Sequence, residues 1–340
     1  MNNKLIFTFF IIIHFVFSQS IDKIFIKANE YDKIMIQEVE PYLNSIKSSG
    51  YFKGEENKNI YYQIYKINNP KGGIVISHGF GEFIDKYNEI IYYLTKNGYD
   101  VYAFEHRGYS RSDRVGQNSQ QVQVEDYNYY INDLKKFLDE KVIINHENKL
   151  FFFGHSMGAV IGTLFLEKYP KYFEKAVLSA PMFEINLNKR PKFLVKAYSG
   201  LKVFLNSGTD FAPGESPYSS EYNFLNSNTT SKERYDYGYK KIINNSSFQN
   251  GGASIKWLNE ALKMTKETNK KKNIYKIKTR ILVFQAGNDI WVNLDAQNNF
   301  VNNALNAKLI KFSEAKHEIY RENDSILLEY MNELLEFYNN

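Results

Sequence analysis

No cysteine occurs in the 340 residues. That excludes disulfides, thiolate metal sites, a cysteine nucleophile and lipoprotein attachment through sulfur, so stability has to come from the packed core. No Cys/His cluster offers a metal site, and none of the chemistry read below needs a metal or an organic cofactor. Proline is sparse, at 7 residues, and no repeats or flexible interdomain linker divide the chain. Charge of one sign is never concentrated: the formal net charge is +5, with Lys and Glu interspersed. Without a long basic stripe a nucleic-acid partner has no support, although mild positive charge does not oppose an anionic membrane surface.

Long apolar runs are scarce too. The exception is Leu5 to Phe17, interrupted by Thr8 and His14, preceded by Lys4 and followed by Ser18-Gln19-Ser20. A membrane span takes about 20 apolar residues, and this run is shorter. A short basic region, an apolar core and small residues after it describe a secretory signal peptide over residues 1–20. The expectation is an exported protein, periplasmic or secreted, with an uncleaved anchor as the alternative.

What is abundant is core-forming material. Hydrophobic residues make up 43% of the chain, with 27 Tyr and 26 Phe. Residues 21–48 read as a leader of one strand and a polar helix. A hairpin follows over Tyr51 to Lys66. Then short apolar runs alternate with longer helical patterns: strand Gly73–Ser77, helix Tyr87–Asn97, strand Tyr99–Phe104, helix Asp126–Asp139, and strands at 150–153, 176–180, 280–285 and 307–310. This alternation predicts an α/β fold with a mostly parallel sheet covered on both faces. It breaks between about Met182 and Lys278, so residues 49–182 and 279–340 are expected to form the core and 183–278 a helical cap inserted after the sixth strand. Within the cap, Phe193, Leu194, Ala197, Tyr198, Leu201, Phe204 and Leu205 recur at helical spacing. That stripe either packs the cap onto the core or meets acyl chains and a lipid surface.

The chemistry starts at Gly154-His155-Ser156-Met157-Gly158, directly behind Leu150-Phe151-Phe152-Phe153. A G-x-S-x-G turn between strand and helix exposes a serine Oγ, and its glycines remove Cβ atoms where helix and strand crowd together. A serine needs a base, and the base an acid to hold its tautomer, in the chain order Ser, acid, His. Asp289, in the turn Ala286-Gly287-Asn288-Asp289 after a strand, is the candidate acid, with Asp295 and Glu314 as alternatives. His317 is the candidate base: His14 lies in the leader segment, His146 in a polar loop, and His78, His106 and His155 belong to other motifs. The oxyanion hole requires two backbone N–H groups. Met157 supplies one, and Phe80 in the loop His78-Gly79-Phe80-Gly81-Glu82 is the choice for the other. Gly79 and Gly81 allow the backbone to approach substrate, and His78 braces the loop.

His78-Gly-Phe-Gly-Glu82, Phe104-Glu-His-Arg-Gly-Tyr-Ser-Arg-Ser112 and Gly154-His-Ser-Met-Gly158 together resemble the serine α/β-hydrolases of the lysophospholipase and monoacylglycerol lipase branch. Ser231-Lys-Glu-Arg-Tyr235, Gly251 to Trp257 and Ala315-Lys-His-Glu-Ile319 resemble bacterial lysophospholipases in particular. The resemblance covers roughly residues 50 to 338. It departs at Glu105, where many relatives have Asp, at Tyr109-Ser110, and at Ala159, where many have a third glycine. It implies the α/β-hydrolase fold and hydrolysis of a single-chain fatty-acyl ester, with peripheral membrane contact through the cap as a further expectation. Another serine carboxylesterase, thioesterase or peptidase on this fold is the alternative, and a non-catalytic binding protein the minor one.

Overall fold

A computed structural model describes residues 21–145 and 149–340. The signal-peptide reading of residues 1–20 and the loop residue His146 lie outside the described residues. Among the described residues, eight strands form one sheet in the order β1-β2-β4-β3-β5-β6-β7-β8. They are β1 (Lys47–Lys53), β2 (Asn59–Tyr65), β3 (Gly72–Ser77), β4 (Tyr99–Phe104), β5 (Leu150–His155), β6 (Lys175–Ser179), β7 (Arg280–Ala286) and β8 (Ala307–Phe312). β1, β2 and β4 pair antiparallel; from β4 onward every pairing is parallel.

The central strands are buried along their whole length, as expected of a parallel sheet with helices on both faces. Strand alternation sorts their side chains. In β5, Phe152 points into one core with Val75, Leu134, Leu164 and Phe165, while Phe151 and Phe153 point into the other with Ile90, Leu94, Tyr330 and Leu334. The covering helices are α3 (Asn88–Lys96), α4 (Asn128–Phe137), α5 (Met157–Lys168), α10 (Leu294–Asn303) and α11 (Asp324–Asn339). Each buried Leu, Ile or Phe contributes roughly 1.5–3 kcal/mol, enough to hold the fold without covalent links.

The leader differs from expectation. It contains no strand ahead of β1: a short 3-10 turn at Ala28–Glu30 runs into α1 (Tyr31–Ile34), a wider π-type turn at Met35–Val39 and α2 (Glu40–Ile46). Nor is the helix polar throughout. Tyr31, Met35, Val39 and Leu43 stand four residues apart and, with Ile26, are buried in the second core. Spacing by four puts them on one helical face, and the intervening Lys, Glu and Gln masked that stripe.

Register places the site. Ser77 pairs with Gly154, Gly154 with Leu178, and Ser179 with Phe284, so β3, β5, β6 and β7 end along one edge of the sheet. Loops carrying His78, Ser156 and Asp289 all leave from that edge. Between β6 and β7 the chain forms four helices: α6 (Lys192–Phe204), α7 (Lys232–Asn244), α8 (Ile255–Thr268) and α9 (Lys271–Ile274). No helix among the described residues is long and apolar enough to cross a membrane.

Candidate active site

Ser156 has φ 50° and ψ −113°, between the end of β5 and the first residue of α5. A non-glycine residue at positive φ stores about 1–3 kcal/mol of strain, and the surroundings hold it there. Its N–H donates to Ser179 O at 2.9 Å, and its carbonyl accepts from Met182 N at 3.1 Å. The flanking glycines are steric necessities. A Cβ on Gly154 would sit 2.6 Å from Ala159 Cα, and one on Gly158 only 2.1 Å from Ser77 O. The elbow is therefore clamped against the end of β3, whose next residues are the candidate oxyanion loop.

The structure brings the three sequence-derived candidates together. Ser156 Oγ lies 2.9 Å from His317 Nε2, and His317 Nδ1 lies 2.5 Å from Asp289 Oδ2. In the matching tautomer, the serine hydroxyl donates to Nε2 and Nδ1–H donates to the carboxylate. Asp289 Oδ1 also accepts from the N–H groups of Trp291 (2.8 Å) and Val292 (3.3 Å), which fixes the carboxylate plane. The acid position at His317 Nδ1 is taken by Asp289, while the alternatives stand apart from it: Asp295 lies in the first turn of α10 and Glu314 three residues before His317. Ser156 is 5% and His317 7% exposed, so the chemistry is screened from bulk water.

Gly79 lies against the candidate nucleophile: a Cβ there would be 3.2 Å from Ser156 Cβ and 2.8 Å from both Glu82 Oε2 and His155 Nδ1. Gly81 has φ 71°, a conformation costly for other residues. His78 is neutral and structural. Its Nε2 accepts from His106 N–H at 3.0 Å, which leaves Nδ1–H to donate to Gly79 O at 2.7 Å. Burial pushes its pKa down to about 4.

In the sequence Glu82 is only the end of a motif, with no role of its own; the structure makes it the hub beneath the site. Its Oε2 accepts from Gly79 N–H at 2.6 Å, from Tyr87 OH, and from His155 Nδ1 at 2.9 Å. Its Oε1 accepts from Tyr320 OH at 2.6 Å and Lys86 Nζ at 3.2 Å. One carboxylate thus ties the His78–Glu82 loop, the elbow and the segment after His317. His155 completes the tie, with Nε2 facing His317 O at 3.2 Å. Both its ring nitrogens face acceptors, which suits the imidazolium. Burial opposes that charge, yet Glu82 outweighs it and raises the His155 pKa. Burial likewise opposes the Glu82 carboxylate, but His155 and Lys86 hold its pKa well below the usual range. The legible signal was a carboxylate inside a glycine-rich loop, a position with no solvent to hydrate it.

The cap is anchored unevenly. On α7, Arg234 is fully buried and donates to Glu89 of α3 (2.9 Å), Asp324 of α11 (2.9 Å) and Ile26 O (3.0 Å). On α8, Trp257 packs edge-on against Phe80 at 4.6 Å. By contrast α6 buries only Ser199. Its apolar stripe does not pack the cap onto the core: Phe193 is 71% and Phe204 81% exposed, with Leu201 and Leu205 also exposed.

Residues 68–324 match the protein family described as serine aminopeptidase, S33. A probable lysophospholipase L2 of Haemophilus influenzae is 26% identical over 322 residues, covering 92% of this chain and 99% of that protein. A monoglyceride lipase homolog of Monkeypox virus is 27% identical over 282 residues, covering 82% and 94% respectively. Among solved structures, a soluble variant of monoglyceride lipase from Saccharomyces cerevisiae superposes with a TM-score of 0.67 at 17% identity, covering 86% of this chain and 96% of that one. The sheet order and these likenesses identify the α/β-hydrolase fold.

Proposed function

We propose that this chain, which belongs to the hydrolase family described as serine aminopeptidase, S33, hydrolyses single-chain fatty-acyl esters through Ser156, His317 and Asp289. The observation that carries the reading is the unbroken relay Ser156 Oγ–His317 Nε2 and His317 Nδ1–Asp289 Oδ2 on a strained elbow. Ser156 attacks the ester carbonyl while His317 takes its proton. The tetrahedral oxyanion is held by the backbone N–H groups of Phe80 and Met157. Collapse expels the alcohol, protonated by His317, and leaves an acyl-enzyme. His317 then activates water to release the fatty acid.

The similarity to proteins named lysophospholipase and monoglyceride lipase supports an acyl lipid as substrate, either lysophospholipid or monoacylglycerol. The exposed stripe on α6, with Lys189, Arg190, Lys196 and Lys202 alongside, suits contact with a lipid surface through the cap. Export through the N-terminal segment would place the enzyme where such lipids face the periplasm or the exterior. N-terminal sequencing of the mature protein tests that point.

The deciding experiment is product analysis of the purified protein on matched lysophospholipid and monoacylglycerol series of stepped acyl length. Long-chain preference is expected. A strong preference for short soluble esters would refute the lipid reading. Ser156→Ala should abolish both hydrolysis and fluorophosphonate labelling, and persistent labelling would show that the nucleophile is wrong.

A further inference from the structure

The sheet alone does not set the distance between the acid and the base. The β7–β8 pairing ends at Ala286 and Phe312, and both Asp289 and His317 lie beyond it on separate loops. The first cross-links past the sheet are Gly287 N to Phe312 O (2.8 Å) and Asn288 N to Ala315 O (2.9 Å). Farther out, the link comes from the cap. Asn228 stands in the cap loop before α7. Its Oδ1 accepts from the indole Nε1–H of Trp291 at 2.6 Å, and its backbone carbonyl accepts from Glu318 N–H at 2.9 Å. Trp291 in turn gives its own backbone N–H to Asp289 Oδ1, and Glu318 directly follows His317. The result is a closed ring: Asp289, Trp291, Asn228, Glu318, His317 and back to Asp289.

The neighbouring cap residues press on the same loop. Ser227 O accepts from Lys316 Nζ at 3.1 Å, Thr229 Oγ1 donates to Arg321 O at 2.5 Å, and Thr230 N donates to Glu322 Oε2 at 3.0 Å. Glu322 Oε1 meanwhile accepts from Lys316 N at 2.8 Å. Burial does not demand the Trp291 contact. That side chain is 50% exposed, and water would satisfy the indole N–H. A short bond to a residue of another segment at such a place constrains position instead.

We propose that Asn228 is a positioning residue, the clasp by which the cap holds the acid and base loops in register. The inference rests on the triad reading above. It makes turnover depend on the cap loop being seated, although Asn228 touches neither Ser156 nor the reacting atoms.

The test uses the full chain with Asn228→Ala, Trp291→Phe and the double variant, assayed on a p-nitrophenyl acyl ester. Each single change should lower kcat about tenfold, the size of one lost positioning hydrogen bond, with KM within about twofold. The double variant should lose no more than the worse single one, because both cut the same ring. Tryptophan fluorescence of Asn228→Ala should show altered emission and acrylamide quenching of Trp291 with an unchanged far-ultraviolet circular dichroism spectrum. Trp291→Phe keeps an aromatic side chain while removing the indole N–H, and carries the test if Asn228→Ala fails to fold. Wild-type kcat in both single variants, with Ser156→Ala inactive, would overturn the clasp and leave the triad standing. Fully additive losses would also overturn it. An active Ser156→Ala would remove the triad and the clasp with it.

Discussion

Replacing Gly158 by alanine adds one methyl group at the most crowded point of the elbow. The new Cβ would lie 2.1 Å from Ser77 O and 2.5 Å from His78 O, where ordinary contact begins near 3.4 Å. More than an ångström must open, and both obstacles are backbone, one in β3 and one at the root of the proposed oxyanion loop. Neither can rotate away as a side chain would. Overpacking of a tight core costs about 1–3 kcal/mol, and a backbone-on-backbone clash belongs at the upper end. For a chain of this size that lowers Tm by roughly 4 °C. The effect on turnover should be larger. The clash separates Met157 from Phe80, the two proposed oxyanion donors, and about 1 Å of misplacement costs on the order of 100-fold in rate. Gly81→Ala is the control: that position has φ 71° but nothing within 4 Å of the added Cβ, so only backbone strain of about 1–2 kcal/mol applies. Thermal unfolding followed by circular dichroism and kcat on a chromogenic acyl ester measure both. Wild-type Tm and kcat in Gly158→Ala would refute the claim that this close approach sets the site.

Asp289→Asn should keep the fold and lower kcat by roughly 10⁴, because the amide favours the wrong His317 tautomer; near-normal steady-state rates would move the acid elsewhere. The buried His155–Glu82 pair makes stability pH-dependent in two directions. Glu82 has a lowered folded pKa, so its contribution is present above the unfolded carboxylate value and is lost as pH falls through the lower folded one. His155 has a raised folded pKa, so its contribution is complete below the unfolded imidazole value and fades as pH rises through the folded one. Urea unfolding of wild type and Glu82→Gln across this range should show the largest stability gap at mildly acidic pH, narrowing toward both ends; a pH-independent gap would show that the pair is uncharged. Deleting residues 1–46 should leave no soluble folded protein. It strips Ile26, Tyr31, Met35, Val39 and Leu43 from the second core, worth roughly 7–15 kcal/mol together against a net stability of about 5–15 kcal/mol. Recovery of a monodisperse truncated protein with native Tm would refute that.

Much of this molecule follows from the sequence alone, for local reasons. Strand-then-helix alternation and fully apolar runs such as Leu150–Phe153 determine a parallel sheet, because only such a sheet buries both faces of a strand. Gly154 and Gly158 mark the elbow because no side chain fits there, and the chain order of Ser156, Asp289 and His317 follows from where the strands end. In the leader the four-residue spacing of Tyr31, Met35, Val39 and Leu43 is hidden among charged residues, and only the fold shows that face buried. Roles that depend on partners from distant segments could not be read at all. Glu82 became a hub only when folding placed Tyr87, His155 and Tyr320 around one buried carboxylate. The α6 stripe had the period of a packed helix, yet only the tertiary arrangement shows it turned outward. Asn228 was one asparagine among many until the cap loop reached between two loops that the sheet leaves unpaired. Periodicity and turn chemistry are carried by neighbours in sequence; hydrogen-bond satisfaction and exposure belong to neighbours in space, and only the folded chain decides those.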